Sequence, residues 1–153
     1  MVAQLISSLF PPSTNHQYRG SILALVLLGL MVVITIIPAL IHSFLPDGGA
    51  NVIAGLGIDL GSAHGRQVVS LFAWAGTTQL ILGLILLTIL VRYRSLVPFA
   101  FALLVLSRSL HAWHMWGPKG GDHHPPEAYA TLALVPILLV GLWLALRQRP
   151  SDA

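Results

Sequence analysis

The sequence predicts an all-α protein, a four-helix transmembrane bundle with a long glycine-rich outer loop and a short N-terminal interfacial segment. Three observations support this prediction. Of the 153 residues, 56% are hydrophobic and only 8% are charged, whereas soluble domains carry roughly a quarter charged residues. Four apolar runs each have about the 20 residues that a helix needs to cross a bilayer. Polar segments rich in glycine, proline or arginine separate these runs.

Residues 1–20 precede the first apolar run and form the N-terminal segment. Apolar residues recur at helical spacing over 2–10, and Pro11-Pro12 ends the pattern. Two interpretations stand here: a short helix lying in the cytoplasmic membrane interface, or a frayed tail. No Lys or Arg precedes Arg19 and no small-residue cleavage site closes the next run, so we expect this segment to be retained.

The membrane domain is predicted over 21–147, followed by a cytoplasmic tail over 148–153. Its four spans are predicted at 21–44, 68–91, 96–116 and 128–146. The connection Arg92–Ser95 is so short that the second and third spans are expected to be antiparallel neighbours. The outer loop over 45–67 opens with Pro46-Asp47-Gly48-Gly49, a strong turn signal.

The distribution of basic residues predicts the orientation. With four spans, both termini lie on one side of the membrane. If that side is the cytoplasm, five basic residues lie inside and two outside, which agrees with the positive-inside rule. The inside residues are Arg19, Arg92, Arg94, Arg147 and Arg149, and the outside residues are Arg66 and Lys119. We therefore expect a multi-pass protein of a bacterial inner membrane with cytoplasmic termini.

Arg108 is the one charge well inside a predicted span, about 12 Å of helix before its outer end. One interpretation is that its long side chain snorkels to the outer headgroups. The other directs the guanidinium into the bundle, towards Gln79, Thr77 or Thr78, or towards an outer-loop carboxylate such as Asp47 or Asp59. An inward arginine would suit an anionic or carbonyl-bearing ligand, such as a quinone headgroup or a lipid phosphate.

The candidate ligand-binding residues are Arg108, Gln79, Thr78 and His111. His111 lies one turn after Arg108 on the same helix face. For the residues on the second span, the alternative is structural: Thr77 and Thr78 bond carbonyls of their own helix, and Gln79 joins two helices.

Six of the seven histidines are predicted at or beyond the outer boundary of the membrane. Imidazole and carboxylate groups are ligands for transition metals. The candidate metal ligands are His111, His114, His42, Asp122 and His123. The alternative is that these are ordinary hydrogen-bonding residues at the interface, where Trp113 and Trp116 are expected to form an aromatic belt.

Several functional classes lack support in the sequence. The chain has no cysteine, so disulfides, thiolate nucleophiles and cysteine-bound metals are excluded. No nucleophile elbow and no paired carboxylates at helical spacing occur. The basic residues are scattered at the ends of apolar runs, which argues against a nucleic-acid partner.

The layout over 21–146 resembles the DoxX-like group of small bacterial four-helix membrane proteins. The resemblance lies in the number of spans, the glycine-rich loop over 46–55, the turn Arg92–Arg94, and Arg108 late in the third span. It implies a compact bundle and, for some members, association with quinone-linked redox proteins. It provides no catalytic motif to transfer.

We therefore expect a non-enzymatic accessory or scaffold subunit of a membrane complex, in contact with lipid and with other membrane subunits or further copies of itself. The alternative is a quinone-, lipid- or metal-binding, redox-linked membrane protein. Its site would lie at the outer ends of the first three spans.

Overall fold

The computed structural model describes residues 2–147, and for residues 2–4 the backbone alone. The predicted cytoplasmic tail over 148–153 lies outside the described residues. These residues form five α-helices and no strand. The helices are α1 (Val2–Leu9), α2 (Ile22–Phe44), α3 (Ala63–Val91), α4 (Val97–Trp116) and α5 (Pro126–Leu146).

Four of these helices, α2 to α5, are long and apolar enough to cross a membrane. In each, no more than 33% of the most apolar stretch is buried. Large apolar side chains such as Leu71, Trp74 and Leu106 are therefore exposed along the outer faces. Such a surface is unstable in water and matches the hydrocarbon of a bilayer. The protein is accordingly a polytopic membrane protein, and its outer faces contact lipid.

The helix ends follow local signals. Ser21 accepts a hydrogen bond from the Leu23 N–H at the start of α2, and Ser62 accepts one from Gly65 at the start of α3. The predicted second span begins at 68, but α3 begins at Ala63. Hydropathy detects the segment that suits lipid, whereas the Ser62 cap starts a helix that extends beyond the apolar stretch.

The four long helices form two antiparallel hairpins. In the first, α2 packs closely on α3, and in the second α4 packs on α5. The hairpins meet less extensively, mainly through α2 and α5. The apolar core between them lies mainly in the half of the bundle nearest the connection between α3 and α4, and the polar residues Thr35 and Thr131 are also fully buried. The largest fully buried residues of this core include Phe101, Leu28, Leu86, Leu104 and Leu138.

The two ends of the bundle differ. At one end, here called the loop end, the loops over 45–62 and 117–125 meet where His123 Nε2 lies 2.7 Å from the Ala54 carbonyl oxygen. At the other, the turn end, the segment over 10–21 crosses the bundle. Its Asn15 N–H donates to Ser95 Oγ over 3.0 Å. The predicted short connection between the second and third spans is confirmed as a turn followed by a 3-10 segment, Arg94–Leu96.

Candidate functional site

A cavity of about 310 Å³ lies between the two hairpins, in the half of the bundle nearest the loop end. All four long helices contribute to it, and residues at helical spacing line it from each one. Its walls are mainly apolar, and its polar side chains come from four different helices. The polar lining residues are His42, Gln79, Arg108 and Glu127. An apolar pocket with a few convergent polar groups is the usual form of a small-molecule site.

Arg108 points into the bundle and is 8% exposed. Its Nη1 donates to Glu127 Oε1 over 3.2 Å, which is the one ion pair among the described residues. The Glu127 side chain is 38% exposed, so its carboxylate is more accessible to solvent than the guanidinium of Arg108. A guanidinium has five N–H donors. Within the described residues Arg108 uses one of them, and the group lines the cavity.

Gln79 connects α3 to α2 beside a proline. Pro38 lies inside α2 and has no N–H to donate to the carbonyl of Ile34, one turn earlier. Gln79 Nε2 donates to the adjacent Thr35 carbonyl over 3.2 Å. Pro38 and Gln79 both line the cavity. The amide therefore links the two helices next to the Ile34 carbonyl, which Pro38 leaves without its helical hydrogen bond.

His42 lies in the last turn of α2, is buried, and lines the cavity. Its Nδ1 lies 2.7 Å from the Gly48 carbonyl oxygen. A carbonyl can only accept, so Nδ1 carries the proton and Nε2 is the nitrogen left for a ligand. A Cβ on Gly76 would lie 2.6 Å from His42 Cβ, so this glycine allows α3 to approach α2 closely at His42.

The loop over 45–62 covers the cavity, and Ile53 and Ala54 form part of its wall. Asp47 organises this loop because its carboxylate accepts hydrogen bonds from the backbone N–H groups of Val52, Gly49 and Asn51. These bonds, with Val52 the largest contributor, lower the pKa of Asp47 below its ordinary value of 3.8, against the opposing effect of burial. The carboxylate that holds the loop is therefore charged at neutral pH.

The structure brings only part of the predicted ligand set together. Arg108 and Gln79 line the same cavity. Thr78 is exposed on the outer face of α3 and bonds the Trp74 carbonyl of its own helix, and Thr77 does the same with Ala73. Neither threonine lines the cavity. His111 lines a different cavity on the outer face of α4.

The five predicted metal ligands are not gathered either. His42 is inside the bundle, whereas His111, His114 and His123 line the separate cavity on α4. In the part of the chain that the structure describes, no group of three or more His, Cys, Asp or Glu side chains is arranged to hold a metal ion. His42 is thus separated from the three histidines that line the cavity on α4.

Two important residues were not assigned to the site from the sequence. Glu127 precedes the predicted fourth span over 128–146, but it lies in the first turn of α5 and pairs with Arg108. Phe72 lines the cavity and meets the His42 ring edge at 5.4 Å. The position of Glu127 in the sequence could have indicated this pairing, because it is the one acid at the start of the helix that forms a hairpin with α4.

The interface around Trp116 is also more specific than an aromatic belt. Its Nε1 donates to the Ala128 carbonyl over 3.2 Å, and its ring packs against His124 and Tyr129 at 4.1 and 5.2 Å. Trp116 therefore fastens the end of α4 to the start of α5, which keeps Glu127 beside Arg108. Trp113 is exposed, as expected of a residue that faces the membrane interface.

Comparison with known proteins gives no family for this chain. No family model, no curated protein and no solved structure matches it.

Proposed function

We propose that the protein binds a membrane-soluble molecule with a neutral, carbonyl-bearing ring headgroup, of which quinones are the representative class. The observation that supports this proposal is the buried Arg108, paired with the partly exposed Glu127, within a cavity that is otherwise mostly apolar. A scaffold that contacts only other helices would gain more stability from apolar residues at these two positions. Retaining a charged pair beside an open cavity fits a binding site better.

The charge balance favours a carbonyl over a phosphate. Glu127 neutralises Arg108, so the pair presents no net charge to a ligand. The guanidinium still has N–H donors for a carbonyl oxygen, and the Gln79 amide lines the same cavity. The unprotonated His42 Nε2 can only accept, so it would suit a hydroxyl of the reduced ring. A phosphate, in contrast, would meet the Glu127 carboxylate at close range, which is repulsive.

The size and access of the cavity suit a ring headgroup with an apolar tail. A volume of about 310 Å³ equals that of roughly ten water molecules in the liquid. Ile34 and Ala130 line the cavity and are also exposed to the lipid-facing surface. A tail could therefore leave between α2 and α5 at the level of Ile34 and Ala130. A bound quinone would supply two-electron redox chemistry, while these residues bind it, orient it and exclude water.

Extraction of the purified chain tests this proposal. We expect about one isoprenoid quinone per protein in the solvent extract of wild type, and a loss of at least tenfold in Arg108→Met. Thr78→Val is the matched control, since Thr78 faces away from the cavity. The proposal fails if wild type carries no quinone and also shows no saturable binding of a short-chain quinone.

The orientation belongs to the same proposal. We infer that the loop end lies on the non-cytoplasmic side of a bacterial inner membrane and that α1 lies in the cytoplasmic interface. The unequal distribution of arginines supports this placement. The chain has no cysteine, so single cysteines report cleanly. An impermeant maleimide should label Lys119→Cys on intact cells, but Ser13→Cys only after permeabilisation. The reverse pattern would contradict the orientation.

The accessory subunit that the sequence predicts belongs to a different functional class from a quinone-binding protein. One protein can have both functions if it supplies a ligand to a partner enzyme. Native purification from its own membrane separates them. A constant partner without quinone supports an accessory subunit, whereas quinone without a partner supports a binding protein that acts alone.

A further inference from the structure

A second cavity, about 520 Å³ in volume, lies on the outer face of α4 beneath the loop over 117–125. Its polar lining consists mainly of nitrogen bases and a cation, and no carboxylate contributes to it. These residues are His111, His114, His123 and Lys119. We call this cavity the α4 groove. It is distinct from the cavity that contains Arg108, although Met115 and Pro125 contribute to both.

The polar groups of the α4 groove have few partners within the protein. His123 Nε2 donates to the Ala54 carbonyl. Over the described ranges of the chain, His111, His114 and Lys119 form no hydrogen bond or ion pair with another residue. The Lys119 ammonium gives the groove a positive charge, and each neutral imidazole can donate one N–H. The groove therefore favours an anion.

An apolar stripe leads from the groove into the membrane. Leu103, Leu106 and Leu110 are exposed at spacings of three and four residues, so they share one face of α4. Leu110 also lines the groove. Trp113 is exposed at the same level, and exposed tryptophans are characteristic of the headgroup layer. The stripe has the properties of an acyl-chain contact, and the groove lies where a phosphate would be.

We propose that the α4 groove binds the phosphate of an anionic phospholipid whose acyl chains lie on the leucine stripe. The phosphate oxygens accept from the Lys119 ammonium and from the N–H groups of His111 and His114. Charge-assisted bonds of this kind are stronger than neutral ones. This proposal does not depend on the ligand of the Arg108 cavity, because the two sites use different polar groups.

Two adjacent glycines provide a structural test of the groove. A Cβ on Gly120 would lie 2.2 Å from the Met115 carbonyl oxygen, so an alanine there must displace the loop from the end of α4. A Cβ on Gly121 would meet nothing within 4 Å, and its φ angle is not in the left-handed region. Gly120→Ala is therefore expected to deform the groove, and Gly121→Ala to leave it intact.

Native mass spectrometry of the full chain in detergent measures lipid binding directly. We expect wild type to bind one phosphatidylglycerol about tenfold more tightly than phosphatidylcholine. The double variant Lys119→Gln/His111→Gln and the Gly120→Ala variant should lose this preference, while Gly121→Ala keeps it. Removal of one cationic side chain alone should cost about fivefold.

Three results would overturn the proposal. The first is equal binding of both lipids by wild type, and the second is an undiminished preference in the double variant. The third is displacement of phosphatidylglycerol by inorganic phosphate at equal concentration, which would identify a free anion and not a lipid as the ligand. Quinone content measured on the same samples should not change, which separates this site from the Arg108 cavity.

Discussion

The Arg108–Glu127 pair yields the sharpest prediction, because its two partners differ in burial. At 3.2 Å the gross attraction is about 5 kcal/mol for an effective dielectric constant of about 20. Desolvation of the buried guanidinium and the 38% exposure of Glu127 reduce the net coupling to about 1–2 kcal/mol. Replacement of Glu127 by Gln leaves a buried cation without its partner, whereas replacement of Arg108 by Met leaves a carboxylate that water can reach.

We therefore expect Glu127→Gln to lower the free energy of unfolding by about 2 kcal/mol, which corresponds to roughly 4–8 °C in Tm for a chain of this size. Arg108→Met should cost less. The double variant should cost less than the sum of the single variants, because it removes both charges. Thermal unfolding of purified protein in one detergent, followed by circular dichroism, measures all three. A coupling energy near zero would mean that Arg108 and Glu127 do not interact in the folded protein, and it would contradict the ion pair between them.

Two further predictions concern packing and the loop. Gly141→Ala places a Cβ 2.3 Å from Cε1 of the fully buried Phe101 and should cost about 1–3 kcal/mol. The control Gly29→Ala meets its nearest neighbour at 3.6 Å and should be neutral or stabilising by up to about 1 kcal/mol. Equal Tm values for the two would contradict this packing. Asp47→Ala should speed amide exchange in the loop over 45–62. In wild type, the lowered pKa of Asp47 means that its contribution is present above pH 3.8 and is lost as the pH falls below it. Exchange protection that persists unchanged to pH 2 would argue against this role.

Much of the fold follows from the sequence, because each helix that crosses lipid needs an apolar run of about 20 residues. The predicted first span over 21–44 matches α2, Ile22–Phe44, within one residue. The third and fourth spans match α4 and α5 within two residues at each end. Apolar length and the flanking turn residues determine these boundaries. The start of α3 was placed too late because a serine cap, and not hydropathy, begins that helix.

The candidate site was less predictable, because it depends on contacts between helices. The depth of Arg108 singled it out, but depth does not determine which helix it faces. Its partner Glu127 is 19 positions away and lies just before the predicted fourth span. For the same reason, the sequence does not show that His42 and His111 face different cavities. Thr78 bonds the Trp74 carbonyl of its own helix, a contact that helical spacing allows but does not require.

The most direct test of the central claim is the position of the bound headgroup. A photoreactive short-chain quinone, cross-linked to the full chain in lipid nanodiscs, can be mapped by peptide mass spectrometry. We expect labelling of residues that line the Arg108 cavity, such as Phe72 and Leu134, and loss of this labelling with excess unlabelled quinone. Labelling confined to lipid-facing residues such as Leu71 and Trp74, unaffected by competitor, would contradict the proposed binding site.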